Sequence, residues 1–197
     1  MKNLPNLISS FRLLVAFYLI YLGWLGWTND KLTAILAWTV IAYVSDVFDG
    51  RLARRLGCKS RLGAFLDPLA DKLLTAVLLV LLVLRYLPAA KIDSMFKLWL
   101  QSLVLVVVLL EAFIAANGIY GCLKGLDVSA NKCGKLKVLF ESATIVIWLI
   151  SLLAEHHWEV KNAFSISVYM VMAVLLGAAA LAIGSIDAYW RRFQHIS

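Results

Sequence analysis

Charged residues are scarce in this sequence. Asp, Glu, Lys and Arg make up 16% of its 197 residues, whereas hydrophobic residues make up 62%. Several uninterrupted apolar stretches exceed the 18 or so residues that cross a bilayer. The sequence therefore predicts an integral membrane protein. About six spans of roughly 20 residues would fill the chain, which leaves no room for a separate soluble domain and predicts one domain over residues 1–197.

Cysteine is also rare, and the sequence contains three cysteines, an odd number. Cys58, Cys122 and Cys133 fall in or near predicted cytoplasmic connections, where thiols stay reduced, so we expect no disulfide. A cleavable leader is not expected either, because Pro5 and Arg12 interrupt the start of the first apolar stretch. We therefore expect the first helix to be retained in the mature protein.

The apolar stretches predict an all-α fold, a bundle of six transmembrane helices. The predicted spans are 7–27, 33–50, 67–87, 96–117, 136–154 and 164–189. Polar and apolar residues alternate between Met1 and Arg12, which is typical of a short interfacial helix at the membrane surface. An ordinary polar flank with snorkelling side chains is the alternative.

The distribution of Lys and Arg predicts the orientation. Thirteen of them lie at the termini or in the second and fourth connections, and five lie in the opposite connections. By the positive-inside rule, both termini and these connections face the cytoplasm. The net charge of +7 adjoins the spans rather than forming a soluble basic face, so anionic lipid headgroups are the expected partner and nucleic acid is not.

Four aspartates lie where two predicted spans enter this cytoplasmic side. They belong to the string Asp46-x2-Asp49-Gly50-x2-Ala53-Arg54-x8-Gly63-x3-Asp67-x3-Asp71. Residues three or four apart share a helix face, so two antiparallel helices can bring the carboxylates together. Oxygen-only ligands suit Mg²⁺ or Mn²⁺, and the lack of His and Cys among the fixed positions argues against zinc. Four carboxylates are enough for two ions.

The other residues of this string fit a diphosphate. Gly50 and Ala53 leave space beside the acids, and Arg54 offers a planar donor fork that matches phosphate oxygens. Pro68 cannot donate to the carbonyl of Ala64, so it must lie in the first turn of its helix or disturb the helix there. Two alternatives use the same acids: a surface ion network with nearby arginines, and a membrane cation-binding or carrier protein.

At these residues the chain resembles the CDP-alcohol phosphatidyltransferase family, whose signature is matched at every fixed position between Asp46 and Asp71. The resemblance implies a metal-dependent transferase that moves a phosphatidyl group from CDP-diacylglycerol to an alcohol and releases CMP. It implies that Asp46, Asp49, Asp67 and Asp71 hold two divalent cations and that Asp71 is also the catalytic base. It further implies that the four non-acidic signature residues surround CDP-diacylglycerol: Gly50, Ala53, Arg54 and Gly63. A covalent intermediate is not expected, since none of the fixed positions of the string is a nucleophile such as Cys.

The acceptor is predicted from weaker signals. Asp67-Pro68-Leu69-Ala70-Asp71-Lys72, Glu111 and Gly134-Lys135-Leu136-Lys137 resemble the branch of the family that uses glycerol 3-phosphate and forms phosphatidylglycerophosphate. Lys135, Lys137 and Arg61 could bind the acceptor phosphate. Lysines two residues apart point to different sides of a regular helix, so only one of them would contact the phosphate unless the helix starts between them.

The chain also departs from that branch. An arginine usually precedes the residue matching Glu111 and another follows two turns later, but Leu110 and Asn117-Gly118 stand here. Phosphatidylglycerol, the acceptor in cardiolipin synthesis, or another small alcohol is therefore the alternative. The resemblance also implies a homodimer and a place in phospholipid biosynthesis in a bacterial inner (cytoplasmic) membrane.

Overall fold

The computed structural model describes residues 4–25, 29–56, 61–123 and 132–194. These residues form six long helices, with a 3₁₀ turn at Leu87–Ala89 between the third and the fourth. The helices are α1 (Leu4–Leu25), α2 (Asn29–Leu56), α3 (Arg61–Arg85), α4 (Ser94–Leu123), α5 (Lys132–His157) and α6 (Ala163–Gln194). No strand occurs in these four segments. The predicted all-α fold is confirmed.

The later helices carry the longest apolar stretches. Four are long and apolar enough to cross a bilayer: Lys72–Ala89, Ser94–Gly121, Cys133–His157 and Ala163–Asp187. In α1 and α2 the apolar segments of the described residues are shorter, Ser10–Leu22 and Lys31–Ser45. The chain is a polytopic helical membrane protein. Two of the six predicted spans correspond to these shorter segments.

Several helix boundaries differ from the sequence prediction, including the end of α4, which lies at Leu123 rather than at position 117. The predicted short interfacial helix is continuous with the first span, because α1 runs without interruption from Leu4. The helix α2 continues beyond its predicted end at position 50, to Leu56. Leu, Ala and Arg after Gly50 are good helix formers, so the helix outlasts the apolar stretch. The helix α3 begins at Arg61, ahead of the predicted span, which starts at position 67.

The core lies at the centre of the bundle and takes residues from all six helices. Leu19, Leu78 and Trp148 are fully buried in it. Large apolar side chains also cover the outside of the bundle, including Leu14 and Leu105, each more than half exposed. This distribution suits a lipid surround, where apolar surface carries no penalty and helices associate through close packing.

The helices α5 and α6 make an extensive contact. At Gly177 of α6, a β-carbon would lie 3.6 Å from the Phe140 ring, an ordinary van der Waals distance, so the ring of α5 packs directly against this glycine. Polar pairs join the same two helices, since the hydroxyls of Ser151 and Ser167 lie 2.8 Å apart in the core. Small residues and buried hydroxyls of this kind are common where membrane helices pack closely.

One end of the bundle is closed by hydrogen bonds between its connections. The backbone N–H of Lys91 donates to Ser165 Oγ at 3.0 Å, and the N–H of Phe164 donates to Glu155 Oε2 at 2.9 Å. The Glu155 carboxylate thereby satisfies one of the N–H groups that the start of α6 leaves open. These contacts fix the end of the bundle opposite the acidic string.

Candidate active site

The first half of the acidic string lies inside α2. Asp46 and Asp49 are one helical turn apart in a continuous helix, followed by Gly50, Ala53 and Arg54 before the helix ends at Leu56. Because the backbone is helical through these positions, the two aspartates share one face of α2. The prediction that Asp46 and Asp49 share a helix face therefore holds for the backbone of α2.

The second half lies in α3, where Gly63, Asp67 and Asp71 follow one another at steps of one turn and form one stripe. The helix begins at Arg61, so Pro68 lies beyond the first turn. The ring removes the N–H that would bond the carbonyl of Ala64. Of the two possibilities for Pro68, the structure selects the one inside the helix.

The side chains of the string lie outside the described part of the structure, and so does that of Arg61. The roles predicted for these nine residues therefore rest on their backbone positions and on the chemistry of their donor groups. The donor set fits a divalent cation such as Mg²⁺ or Mn²⁺, because four carboxylates on two helix faces supply hard oxygen ligands. The nine residues are Asp46, Asp49, Gly50, Ala53, Arg54, Arg61, Gly63, Asp67 and Asp71.

A hydrogen bond joins α2 to α3. Tyr43 Oη and Thr75 Oγ1 lie 3.4 Å apart. Tyr43 lies almost as far before the end of α2 at Leu56 as Thr75 lies after the start of α3 at Arg61. Nearly equal distances from a short connection describe an antiparallel helix pair.

This antiparallel pair brings both halves of the string to one level. An α-helix rises about 1.5 Å per residue, so Asp46 and Asp71 lie about 4.5 and 6 Å from the hydrogen bond along their helix axes, in the same direction. Asp49 and Asp67 follow at about 9 and 12 Å. The four aspartate positions thus occupy the same end of the α2–α3 pair.

A buried ion network lies beside this end of α3. The carboxylate of Glu111, on α4, accepts a hydrogen bond from the Lys137 ammonium of α5, and both side chains are almost fully buried. Lys72 Nζ lies 3.7 Å from Glu111 Oε2 and donates to the Glu111 backbone carbonyl at 3.4 Å. Since Lys72 directly follows Asp71, the network adjoins the acidic string.

The two lysines proposed for the acceptor differ in their surroundings. Lys135 is exposed, whereas Lys137 is 2% exposed and paired with Glu111. The structure therefore brings only Lys137 to the Glu111 network, in line with two residues on different sides of a helix. Glu141, one turn beyond Lys137, is also buried.

Two features of the site were missed by the sequence analysis. The Tyr43–Thr75 contact gives no signal, because a Tyr and a Thr in apolar helices are common and their pairing depends on the fold. The role of Lys72 had a signal, since an ammonium at the start of an apolar stretch needs a partner. Glu111 was noticed as a charge within a span, but its two lysine partners come from positions distant in sequence.

The fold and the motif agree with a known family. The family model for CDP-alcohol phosphatidyltransferases matches residues 2–184, and the chain belongs to this family. The expected resemblance is confirmed across nearly the whole chain.

The chain is also similar to curated proteins that share one name. The chain is 42% identical over 94 residues to proteins named CDP-diacylglycerol–glycerol-3-phosphate 3-phosphatidyltransferase from Escherichia coli (strain K12), Shigella flexneri serotype 5b and Shigella sonnei. The match covers 45% of this chain and 51% of each relative. The chain therefore spans about half the length of the curated relatives it matches.

Proposed function

We propose that this protein transfers a phosphatidyl group from CDP-diacylglycerol to glycerol 3-phosphate, producing phosphatidylglycerophosphate and CMP for phospholipid biosynthesis. The observation that carries the proposal is the complete signature on the antiparallel α2–α3 pair. Family membership supports the donor, and the name of the relatives supports the acceptor.

The chemistry follows from the residues of the string. The Asp71 carboxylate takes the proton of the acceptor hydroxyl, whose oxygen attacks the phosphorus that bears diacylglycerol. The bond from this phosphorus to the CMP oxygen breaks, and CMP leaves. Two divalent cations held by the four aspartates would neutralise the diphosphate and the departing CMP. Gly50, Ala53, Arg54 and Gly63 would surround the cytidine diphosphate part of the donor.

The acceptor phosphate requires cationic partners. The network beside Asp71 places a buried ammonium, that of Lys137, at the level of the acidic string. Lys137 shares the Glu111 carboxylate with Lys72, so these three groups carry one net positive charge, which suits a dianion. Lys137 is the candidate that this network favours, with Lys135 and Arg61 as the other two candidates from the sequence.

The membrane, the orientation and the oligomeric state are proposed together with the reaction. We place the protein in a bacterial inner (cytoplasmic) membrane with both termini and the site on the cytoplasmic side, as the distribution of Lys and Arg favours. A homodimer is proposed from family resemblance.

The test uses purified protein in detergent with CDP-diacylglycerol, Mg²⁺ or Mn²⁺, and one acceptor at a time. We expect CMP release with glycerol 3-phosphate and a lipid product that carries a terminal phosphate. Turnover with phosphatidylglycerol instead would transfer the assignment to cardiolipin synthesis. No CMP release with any acceptor, together with cation transport in protein-containing liposomes, would establish the carrier alternative.

A further inference from the structure

Glu111 is the point where three helices meet through charged groups. Its Oε1 pairs with Lys137 of α5, its Oε2 lies 3.7 Å from Lys72 Nζ of α3, and its backbone carbonyl accepts from the same ammonium at 3.4 Å. Glu111 itself belongs to α4 and is 4% exposed. One residue therefore ties α4 to both of these helices at the level of the acidic string.

These contacts fix Lys72 more firmly than a single ion pair would. The ammonium reaches both the side chain and the backbone of Glu111, so its position is set by two acceptors. Because the Lys72 side chain is only 18% exposed, loss of the Glu111 carboxylate would remove this compensation from an ammonium that water reaches poorly. Lys72 adjoins Asp71 in a continuous helix, so holding its ammonium limits rotation and sliding of α3 at Asp71.

From this geometry we infer that Glu111 is a positioning residue for the acidic string: it acts through Lys72 to hold Asp71, and with it one part of the divalent-cation site, in place. The inference rests on the proposed function for the roles of the aspartates. It assigns Glu111 no contact with substrate. A purely structural ion pair is the competing interpretation, in which Glu111 stabilises the bundle and has no effect on the site.

The test compares Lys72→Met, Glu111→Gln and the double variant with the wild type. Mn²⁺ binding is measured in detergent without substrate, by electron paramagnetic resonance of the free ion, and kcat and KM for CDP-diacylglycerol are measured at saturating Mn²⁺. Partners that orient metal ligands typically change metal affinity or activity about 10- to 100-fold. We expect each single variant to weaken Mn²⁺ binding about 10-fold, at the lower end of this range.

The double variant and two controls separate positioning from stability. If Glu111 acts through Lys72, the double variant binds Mn²⁺ no more weakly than Glu111→Gln alone. Glu155→Gln makes the same carboxylate-to-amide change at the opposite end of the bundle, where it weakens the hydrogen bond from Phe164 and should lower the melting temperature without changing Mn²⁺ affinity. Lys72→Met keeps the Glu111–Lys137 pair, so it decides the question if Glu111→Gln does not fold.

Wild-type Mn²⁺ affinity in both Lys72→Met and a folded Glu111→Gln would overturn the inference, even if the melting temperature fell. Additive losses in the double variant would also overturn the route through Lys72. The Mn²⁺ measurement does not depend on turnover. A wild type that binds Mn²⁺ but releases no CMP would therefore contradict the proposed function while leaving the positioning role intact.

Discussion

The hydroxyl groups of Tyr43 and Thr75 meet at 3.4 Å, across two helices that each continue for a similar length from this contact to their connection. From this contact both halves of the acidic string extend toward the same end of the two helices. A half-buried Tyr and a buried Thr therefore join α2 to α3 one turn away from Asp46 and Asp71.

Removing this hydrogen bond should cost stability. A buried hydrogen bond between neutral groups typically contributes about 0.5–1.5 kcal/mol, and at 3.4 Å we expect the lower part of this range. Thr75→Val keeps the volume and removes the hydroxyl. We expect a small fall in the melting temperature in detergent for Tyr43→Phe, Thr75→Val and the double variant, with a non-additive double effect. Strict additivity would show that the two hydroxyls do not interact.

Replacing the proposed base should stop turnover. In Asp71→Asn the amide cannot accept the proton of the acceptor hydroxyl, and general base catalysis typically contributes about 10²–10⁴-fold. We expect CMP release at saturating Mn²⁺ to fall by about 100-fold or more. Wild-type turnover in this variant would remove Asp71 from the role of base.

Removing divalent cations should abolish activity reversibly. Carboxylate oxygens alone favour hard cations, so EDTA should stop CMP release, and excess Mg²⁺ or Mn²⁺ should restore it. The measurement is CMP formation before chelation, after chelation and after each addition. Undiminished CMP release in EDTA would contradict a cation site at the four aspartates.

The two lysines of α5 should behave differently. Lys137→Met removes a buried ammonium from the Glu111 network, so we expect a lower melting temperature and a KM for glycerol 3-phosphate raised about 10-fold or more, the loss of one charge-assisted contact. Lys135→Met changes an exposed side chain and is the matched control. A larger rise in KM for Lys135→Met would transfer the acceptor contact to Lys135.

Much of the fold is readable from the sequence. Apolar stretches predict the six helices because a bilayer requires about 20 such residues for each span. The same rule misplaces helix ends, since the polar residues after Gly50 continue α2 to Leu56 without continuing the apolar stretch. Hydropathy indicates where the chain leaves the apolar layer of the membrane. A helix instead ends where its backbone N–H and C=O groups no longer have hydrogen-bond partners within the helix.

The candidate site, like the fold, is only partly predictable from the sequence. The signature positions follow from spacing alone, because three- and four-residue steps share a helix face. The pairing of Glu111 with Lys72 and Lys137 does not, because those partners are 39 and 26 residues away in sequence. Which of two lysines turns inward depends on the rotation of α5 against its neighbours, and that rotation is a property of the assembled bundle.

The length of α4 bears on the position of Glu111. The apolar stretch Ser94–Gly121 has 28 residues and is the least buried of the four spans. It measures about 42 Å, against roughly 30 Å for the hydrocarbon layer. A helix of this length tilts or extends beyond the layer, and packing against neighbouring helices sets its tilt. Because Glu111 belongs to this helix, the packing of α4 against α3 and α6 also sets the height at which the Glu111 carboxylate meets Lys72.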